Sequence, residues 1–340
     1  MVELRRRQLL AAGAALIAPG CGGRVTRLSG SGATLPAHQY AAWWKAYAVE
    51  VPQVEIAYLP IGSGGGIRQL AEGTVDFGAT DVEIDEVERT LLGREVISIP
   101  TSIIAVAVCY NLGGLSGLRL SRKLCGAIYL GDVTRWDDPA VRAENPQLAL
   151  PSMAIAPVFR AEGGGSTALF TSRLAAVSEA LRDRVGSGRG ARFSIGIGAR
   201  GSDGVVDLVG RIPGALGYVE VVHALRAGLP VAALDDGRGG YVAPTRGAVL
   251  RGAEPGDPDG YPLASPTYLV AGREWASAAK GAAMAHFSYW ALTTGQRSLD
   301  VGRPDDLASS LLPLPAATCA RARAEVLRFT SGSTRLLAID

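Results

Sequence analysis

Three times along this chain a short apolar run gives way to glycines and hydroxyl residues, and then to a helical pattern. The segments are Ser29-Gly30-Ser31-Gly32-Ala33-Thr34-Leu35-Pro36, Pro60-Ile61-Gly62-Ser63-Gly64-Gly65-Gly66-Ile67-Arg68 and Val158-Phe159-Arg160-Ala161-Glu162-Gly163-Gly164-Gly165-Ser166-Thr167. A strand that turns into a helix through glycines is the recurring joint of α/β folds. The alternation continues elsewhere: 54–59, 75–79, 103–110, 215–222 and 268–271 read as strands, and 67–72, 168–180 and 276–293 as helices. The 340 residues suffice for two domains, yet no linker and no fixed-period repeat divides them. That leaves open a discontinuous arrangement in which the chain crosses between lobes more than once, with 99–101 and 261–265 as candidate crossings.

The three joints share one chemistry. The first backbone N–H groups of a helix have no partner within it, and they lie at the positive end of its dipole. A small oxyanion binds there without a neutralising cation. Glycine lets the backbone approach the ion, and serine or threonine adds a donor. Taken singly, each joint reads equally as a plain tight turn with an N-cap. None is a P-loop, because no Gly-Lys-Ser/Thr follows. Arg160 adds a bidentate phosphate ligand and a cation to hold Asp81 in place, although Glu162 offers it a surface salt bridge instead. Asp81, in Gly78-Ala79-Thr80-Asp81, stands at a strand end, where ligands gather in open α/β sheets. Its carboxylate would repel sulfate, but it would accept a hydrogen bond from the O–H of monohydrogen phosphate. That is discrimination by an unpaired charge. The competing reading has Asp81 cap the next helix together with Glu83 and Asp85.

The first residues read as an export leader. Arg5, Arg6 and Arg7 precede an uncharged apolar run, 9–19, too short to cross a bilayer, which takes about 20 residues. Arg6-Arg7-Gln8-Leu9-Leu10 is similar to a twin-arginine signal. Cys21 after Ala18-Pro19-Gly20 resembles a lipoprotein cleavage site, with Ala18 where a larger aliphatic residue is usual; simple cleavage nearby is the alternative. A lipid on Cys21 would give the only membrane contact. The whole chain carries +2 and so does its leader, which leaves a neutral body. A neutral body without a basic stripe excludes nucleic-acid binding, so any anion site must be built from local, aimed dipoles. Cys109, Cys125 and Cys319 allow one disulfide and a free thiol, and Cys109, in an apolar run, reads as a small core residue. His38, His223 and His286 are scattered and no cysteine pair has ligand spacing, so neither a metal nor another cofactor is expected.

Taken in order, these segments resemble the periplasmic phosphate-binding proteins of ABC importers. Gly30-Ser31-Gly32-Ala33-Thr34-Leu35-Pro36 is similar to the family's Gly-Ala-Gly-Ala-Thr-Phe-Pro. The runs 60–66 and 75–81 match its next two blocks. Ile128-Tyr129-Leu130-Gly131-Asp132-Val133-Thr134-Arg135-Trp136-Asp137-Asp138-Pro139 matches a long one, with Asn145-Pro146 after it. Pro213-Gly214-Ala215-Leu216-Gly217-Tyr218-Val219-Glu220, Tyr261-Pro262 and Pro313-Leu314-Pro315 complete the set.

The resemblance implies an α/β, two-lobed periplasmic-binding-protein fold of type II, with doubly wound sheets, a hinge and a central cleft. It implies residues 1–21 as leader, 26–101 plus 265–340 as one lobe and 102–264 as the other. It implies no catalysis, a monomer, and permease subunits as partners. Carried over by position, the phosphate ligands are Thr34 and Leu35 through their N–H groups, Ser63, Asp81, Arg160, Gly164, Gly165 and Ser166. The family's third loop reads Arg-x-Asp-Gly-Ser-Gly-Thr, so Gly164 lacks a hydroxyl and Ser166 replaces threonine. Losing one donor to a charged partner is worth roughly 1.5–3 kcal/mol, unless Thr167 or a water fills the gap. Leu35 replaces the phenylalanine. A receptor or sensor for another tetrahedral oxyanion is the alternative, and a phosphatase on a related scaffold a more distant one.

Overall fold

The computed structural model describes residues 25–162, 164–254, 257, 259–299 and 311–338; the leader, Cys21 and Gly163 lie outside the described residues. Eleven strands carry the fold: β1 (Thr26–Gly32), β2 (Val54–Leu59), β3 (Phe77–Thr80), β4 (Val96–Tyr110), β5 (Arg119–Leu120), β6 (Ala156–Arg160), β7 (Ile197–Ala199), β8 (Ala215–Glu220), β9 (Ala233–Asp235), β10 (Tyr241–Val242) and β11 (Ala264–Gly272). Eight of them form one curled sheet in the order β2-β1-β3-β11-β4-β8-β6-β7, and β10-β9-β5 form a small second sheet. Pairing is parallel among β1, β2 and β3 and among β6, β7 and β8, the two flanks of the large sheet. Both flanks attach to the centre through antiparallel strands.

β4 is the element that joins the lobes. Residues 96–105 pair with β11, and residues 106–110 pair with β8. Its burial alternates at the start and becomes continuous from Thr101 onward, as expected of a strand that enters the centre of a sheet covered on both faces. The register against β11 slips between Thr267 and Tyr268, so that Thr101 has no partner across the ladder. Pro100 lies opposite Tyr268 there. Proline cannot donate to a ladder, and a bulge is where a sheet tolerates it.

Helices cover the sheet by burying apolar faces. In the helix Ala37–Glu50, Tyr40, Trp43 and Tyr47 recur at helical spacing and are all buried. The Trp43 indole N–H donates to the Ser298 hydroxyl at 2.8 Å. On the other flank, Phe170 of the helix Gly165–Ala175 stacks on Tyr218 of β8 with ring centroids 4.2 Å apart. The main core is continuous across both lobes.

Several boundaries differ from the sequence expectation. The helix expected at 67–72 begins at Ser63, so Gly64, Gly65 and Gly66 lie inside it. Packing overrides glycine's poor helix propensity: a Cβ on Gly66 would collide with the backbone of Ser31 and Gly32 on β1. The helix expected at 168–180 is two, Gly165–Ala175 and Glu179–Arg184, because the Ser178 hydroxyl caps the second. The helix expected at 276–293 runs from Ala278 to Trp290 and then widens into a π turn, Ala291–Gly295. Cys109, Cys125 and Cys319 are all free and buried, so the disulfide these three allowed does not form.

Candidate functional site

The parallel strands deliver the glycine joints to one place. β1 leads to Thr34, β2 to the helix Ser63–Ala71, β3 to Asp81, and β6 to Arg160 and the helix Gly165–Ala175. All stand at or just beyond the carboxyl ends of their strands, the side on which open α/β sheets place ligands.

Asp81 is at the centre and is 4% exposed. The Thr267 hydroxyl lies 3.1 Å from its Oδ1, and the Ser63 hydroxyl donates to Oδ2 at 3.4 Å. The Asp81 N–H in turn donates to Ser63 Oγ at 3.3 Å. Behind Thr267, its carbonyl accepts from the Thr101 hydroxyl, which also bonds the Tyr40 hydroxyl at 2.8 Å. The bulge on β4 thus feeds a hydrogen-bonded chain that ends at Asp81. Across the cleft, Gly165 presses on this carboxylate so closely that a Cβ would collide with it. Helix starts from the two flanks, Ser63 and Gly165, therefore converge on one buried acid.

Arg160 closes the other side. Its Nη1 donates to Ser166 Oγ at 3.3 Å and its Nη2 to Glu162 at 2.7 Å. The pairing with Glu162 exists, but the arginine is no surface residue: its side chain is only 10% exposed. Glu220, at the end of β8 and itself buried, approaches Nη1 at 3.9 Å and accepts from the Ser202 hydroxyl at 2.6 Å. Gly164 packs on the same guanidinium, with an added Cβ falling 3.0 Å from Nη1. Ser63, Asp81, Arg160, Gly164, Gly165 and Ser166 thus form one continuous set of contacts. Thr34 is exposed and Leu35 half-buried. Their loop is tied in by the Ala33 N–H, which donates to the Ala79 carbonyl at 2.9 Å, and neither residue bonds the set among the described hydrogen bonds.

Burial pushes the Asp81 pKa up to about 6, with the negative charge of Glu220 adding to the rise. The Thr267 hydrogen bond, the positive charge of Arg189 and the Ser63 hydrogen bond pull it back. Near neutral pH the site therefore holds an ionised acceptor among serine hydroxyls, a guanidinium and helix N-termini. Such a set can bind a tetrahedral oxyanion that keeps one proton. Among the described residues no cluster of three or more metal-ligating side chains occurs.

A model of the PBP superfamily domain matches residues 19–294. The chain belongs to the PBP superfamily. Among its relatives, the phosphate-binding protein PstS of Xylella fastidiosa is 30% identical over 289 residues, covering 80% of this chain and 79% of that protein. PstS of Methanocaldococcus jannaschii is 31% identical over 325 residues, with 84% and 82% covered. Among solved structures, an ABC-type phosphate transport receptor from Vibrio cholerae superposes with a TM-score of 0.56 at 17% identity, covering 77% of this chain and 93% of that one. Within the PBP superfamily the sequence relatives are PstS proteins, and the two-lobed type II architecture accounts for the curled sheet shared through β4.

Three expectations change at this site. Asp85, not Asp81, caps the helix Glu86–Leu92, in a reciprocal box with Glu88. The Thr167 hydroxyl does not stand in for a missing Gly164 hydroxyl, because it pairs with the Tyr218 hydroxyl at 2.9 Å. The cation acting on Asp81 is Arg189 rather than Arg160. Sequence reasoning passed over Arg189, Thr267 and any electrostatic role for Glu220. Arg189 left one signal, an arginine between Gly188 and Gly190, but no strand–helix joint flagged it.

Proposed function

We propose that this chain is a non-catalytic receptor that closes two lobes, 26–101 plus 265–340 and 102–264, around one inorganic phosphate ion and delivers it to the permease of an ABC importer. The observation that carries this reading is the buried Asp81 acceptor, touched from one lobe by Ser63 and Thr267 and from the other by Gly165. Phosphate near neutral pH brings the O–H that an ionised Asp81 accepts, and its remaining oxygens take the donors: the Thr34 and Leu35 N–H groups, Ser63, Arg160, Gly164, Gly165 and Ser166. Sulfate has no O–H and leaves the carboxylate unpaired. The names of the PstS relatives and of the structural neighbours support phosphate as the ion.

The charged start, the short apolar run and Cys21 support export to the periplasm or the outer face of the cell membrane, with a lipid anchor on Cys21. Mass spectrometry of the protein purified from cells that export it tests this: a Cys21 terminus without acyl chains rules the anchor out. Gly164 favours a second reading, a preference for another oxyanion. Calorimetry on protein lacking residues 1–21 separates the two. Saturation near one phosphate per chain with sulfate silent is the expected result, whereas no heat with phosphate would sink the phosphate reading.

A further inference from the structure

Arg189 crosses the cleft. It lies in the loop between the helix Glu179–Arg184 and β7, in Ser187-Gly188-Arg189-Gly190. Gly188 turns this loop at φ +82°, a left-handed conformation that glycine adopts without strain. The Gly188 N–H donates to the Thr171 hydroxyl at 3.1 Å, and the Gly188 carbonyl accepts from it at 3.3 Å. The base of Arg189 is thereby tied to the helix Gly165–Ala175, which presses on Asp81. From there the side chain runs to the opposite lobe. Its Cδ lies 3.3 Å from the place a Cβ on Gly64 would take, one residue beyond Ser63. Its guanidinium ends on the Glu88 carboxylate and the Thr80 hydroxyl, the latter adjacent to Asp81. Only 13% of the Arg189 side chain and 15% of Glu88 remain exposed, and Arg189 Nε is buried without a partner.

A buried cation is costly unless paired, and this one is paired across the cleft. Its opposing carboxylate is fixed independently, since the other oxygen of Glu88 accepts from the Asp85 N–H at 3.3 Å. If the lobes part, both charges return to water and the pair is lost. An interaction made in only one of two states shifts the balance toward that state by its own free energy. Burial lowers the guanidinium pKa while the charges of Asp81 and Asp85 raise it, which sets Arg189 in the field of the central acid.

We propose that Arg189 is a latch and a positioning residue for the anion: through Glu88 and Thr80 it holds the closed lobes together over the start of the Ser63 helix, and so offsets the hydroxyl that Gly164 lacks. This rests on the phosphate reading above.

Stopped-flow and calorimetric titration of the chain lacking residues 1–21 with inorganic phosphate tests it. Arg189→Met keeps an apolar stem and removes the charge. It should raise the phosphate Kd by about 10- to 100-fold, nearly all of it in a faster dissociation rate. Glu88→Gln, on the opposite lobe, should do the same, and the double variant should weaken binding no more than the larger single effect. Arg192→Met, an exposed arginine of the same loop, controls for net charge and should leave Kd unchanged. A structural role alone would lower the melting temperature of the phosphate-free variants without moving the dissociation rate, and that outcome overturns the latch. So does tighter phosphate binding by Glu88→Gln, which would make Arg189 a direct ligand that Glu88 restrains. A parent chain that binds no phosphate overturns the receptor reading and the latch with it, whereas a parent that binds while Arg189→Met is unchanged overturns the latch alone.

Discussion

Discrimination between phosphate and sulfate should collapse as Asp81 takes up a proton. Its pKa is pushed up to about 6, chiefly by burial, against an unfolded value near 3.9. That difference corresponds to about 3 kcal/mol. The acid is raised in the folded state, so its protonated form is the one folding favours. That contribution is whole below about pH 4 and is lost as pH rises through about 6. At neutral pH the protein therefore holds an ionised Asp81 at a cost of about 3 kcal/mol, and its stability increases on moderate acidification as far as this group is concerned. Asp81→Asn removes that cost. Near pH 8 its melting temperature should exceed that of the parent by about 4 °C for a chain of this size, and the gap should shrink to about half near pH 5 and close below about pH 4. Binding moves the other way. A buried charge left unpaired by sulfate costs about 2–5 kcal/mol, at least 30-fold in Kd ratio. A neutral Asp81 or an Asn offers sulfate a donor instead, so that ratio should shrink toward unity in Asp81→Asn at any pH and in the parent near pH 5. Paired phosphate and sulfate titrations with thermal melts at both pH values measure all of this. A phosphate/sulfate ratio indifferent to both pH and the substitution would refute Asp81 as the discriminating acceptor.

Two further substitutions probe the glycines at the helix start. Gly165→Ala drives a Cβ into the Asp81 carboxylate; calorimetry should show phosphate affinity falling by about 100-fold or more, while the phosphate-free protein, free to part its lobes, melts near the parental temperature. Gly164→Ser returns a hydroxyl at an extended backbone position, φ −156°, and asks the Arg160 guanidinium to give by a few tenths of an ångström. Phosphate should bind up to about tenfold tighter, and weaker binding would show that the Gly164 gap is already satisfied.

Much of the fold was legible because the strands that build it are local and apolar. β2 matches its expected bounds, 54–59, residue for residue. The sequence shows β4 only from residue 103, because its earlier part alternates around Pro100 and owes its strand state to six paired positions on β11. The sequence places the helix at Ser63 four residues late, because glycines argue against helix, while the close approach of β1 demands them. The candidate site divides the same way. Ser63, Asp81 and Arg160 were legible as residue types at strand ends. Arg189 and Thr267 were not, since each reaches the site from a distant stretch of chain, 187 residues from Thr80 in the case of Thr267.

The pairing of β3 with β11 also sets an order of assembly. The strands made first, β1 to β3, keep an open edge until residues 264–272 have been synthesised, whereas β8, β6 and β7 need only β4, which precedes them. A nascent chain thus completes its middle before its beginning. An unpaired strand edge is a template for wrong partners, and a long wait for a distant strand prolongs that exposure. The protein therefore has reason to stay engaged with a chaperone until the last third of its length has arrived, and truncation before β11 would leave a species that aggregates rather than half a receptor.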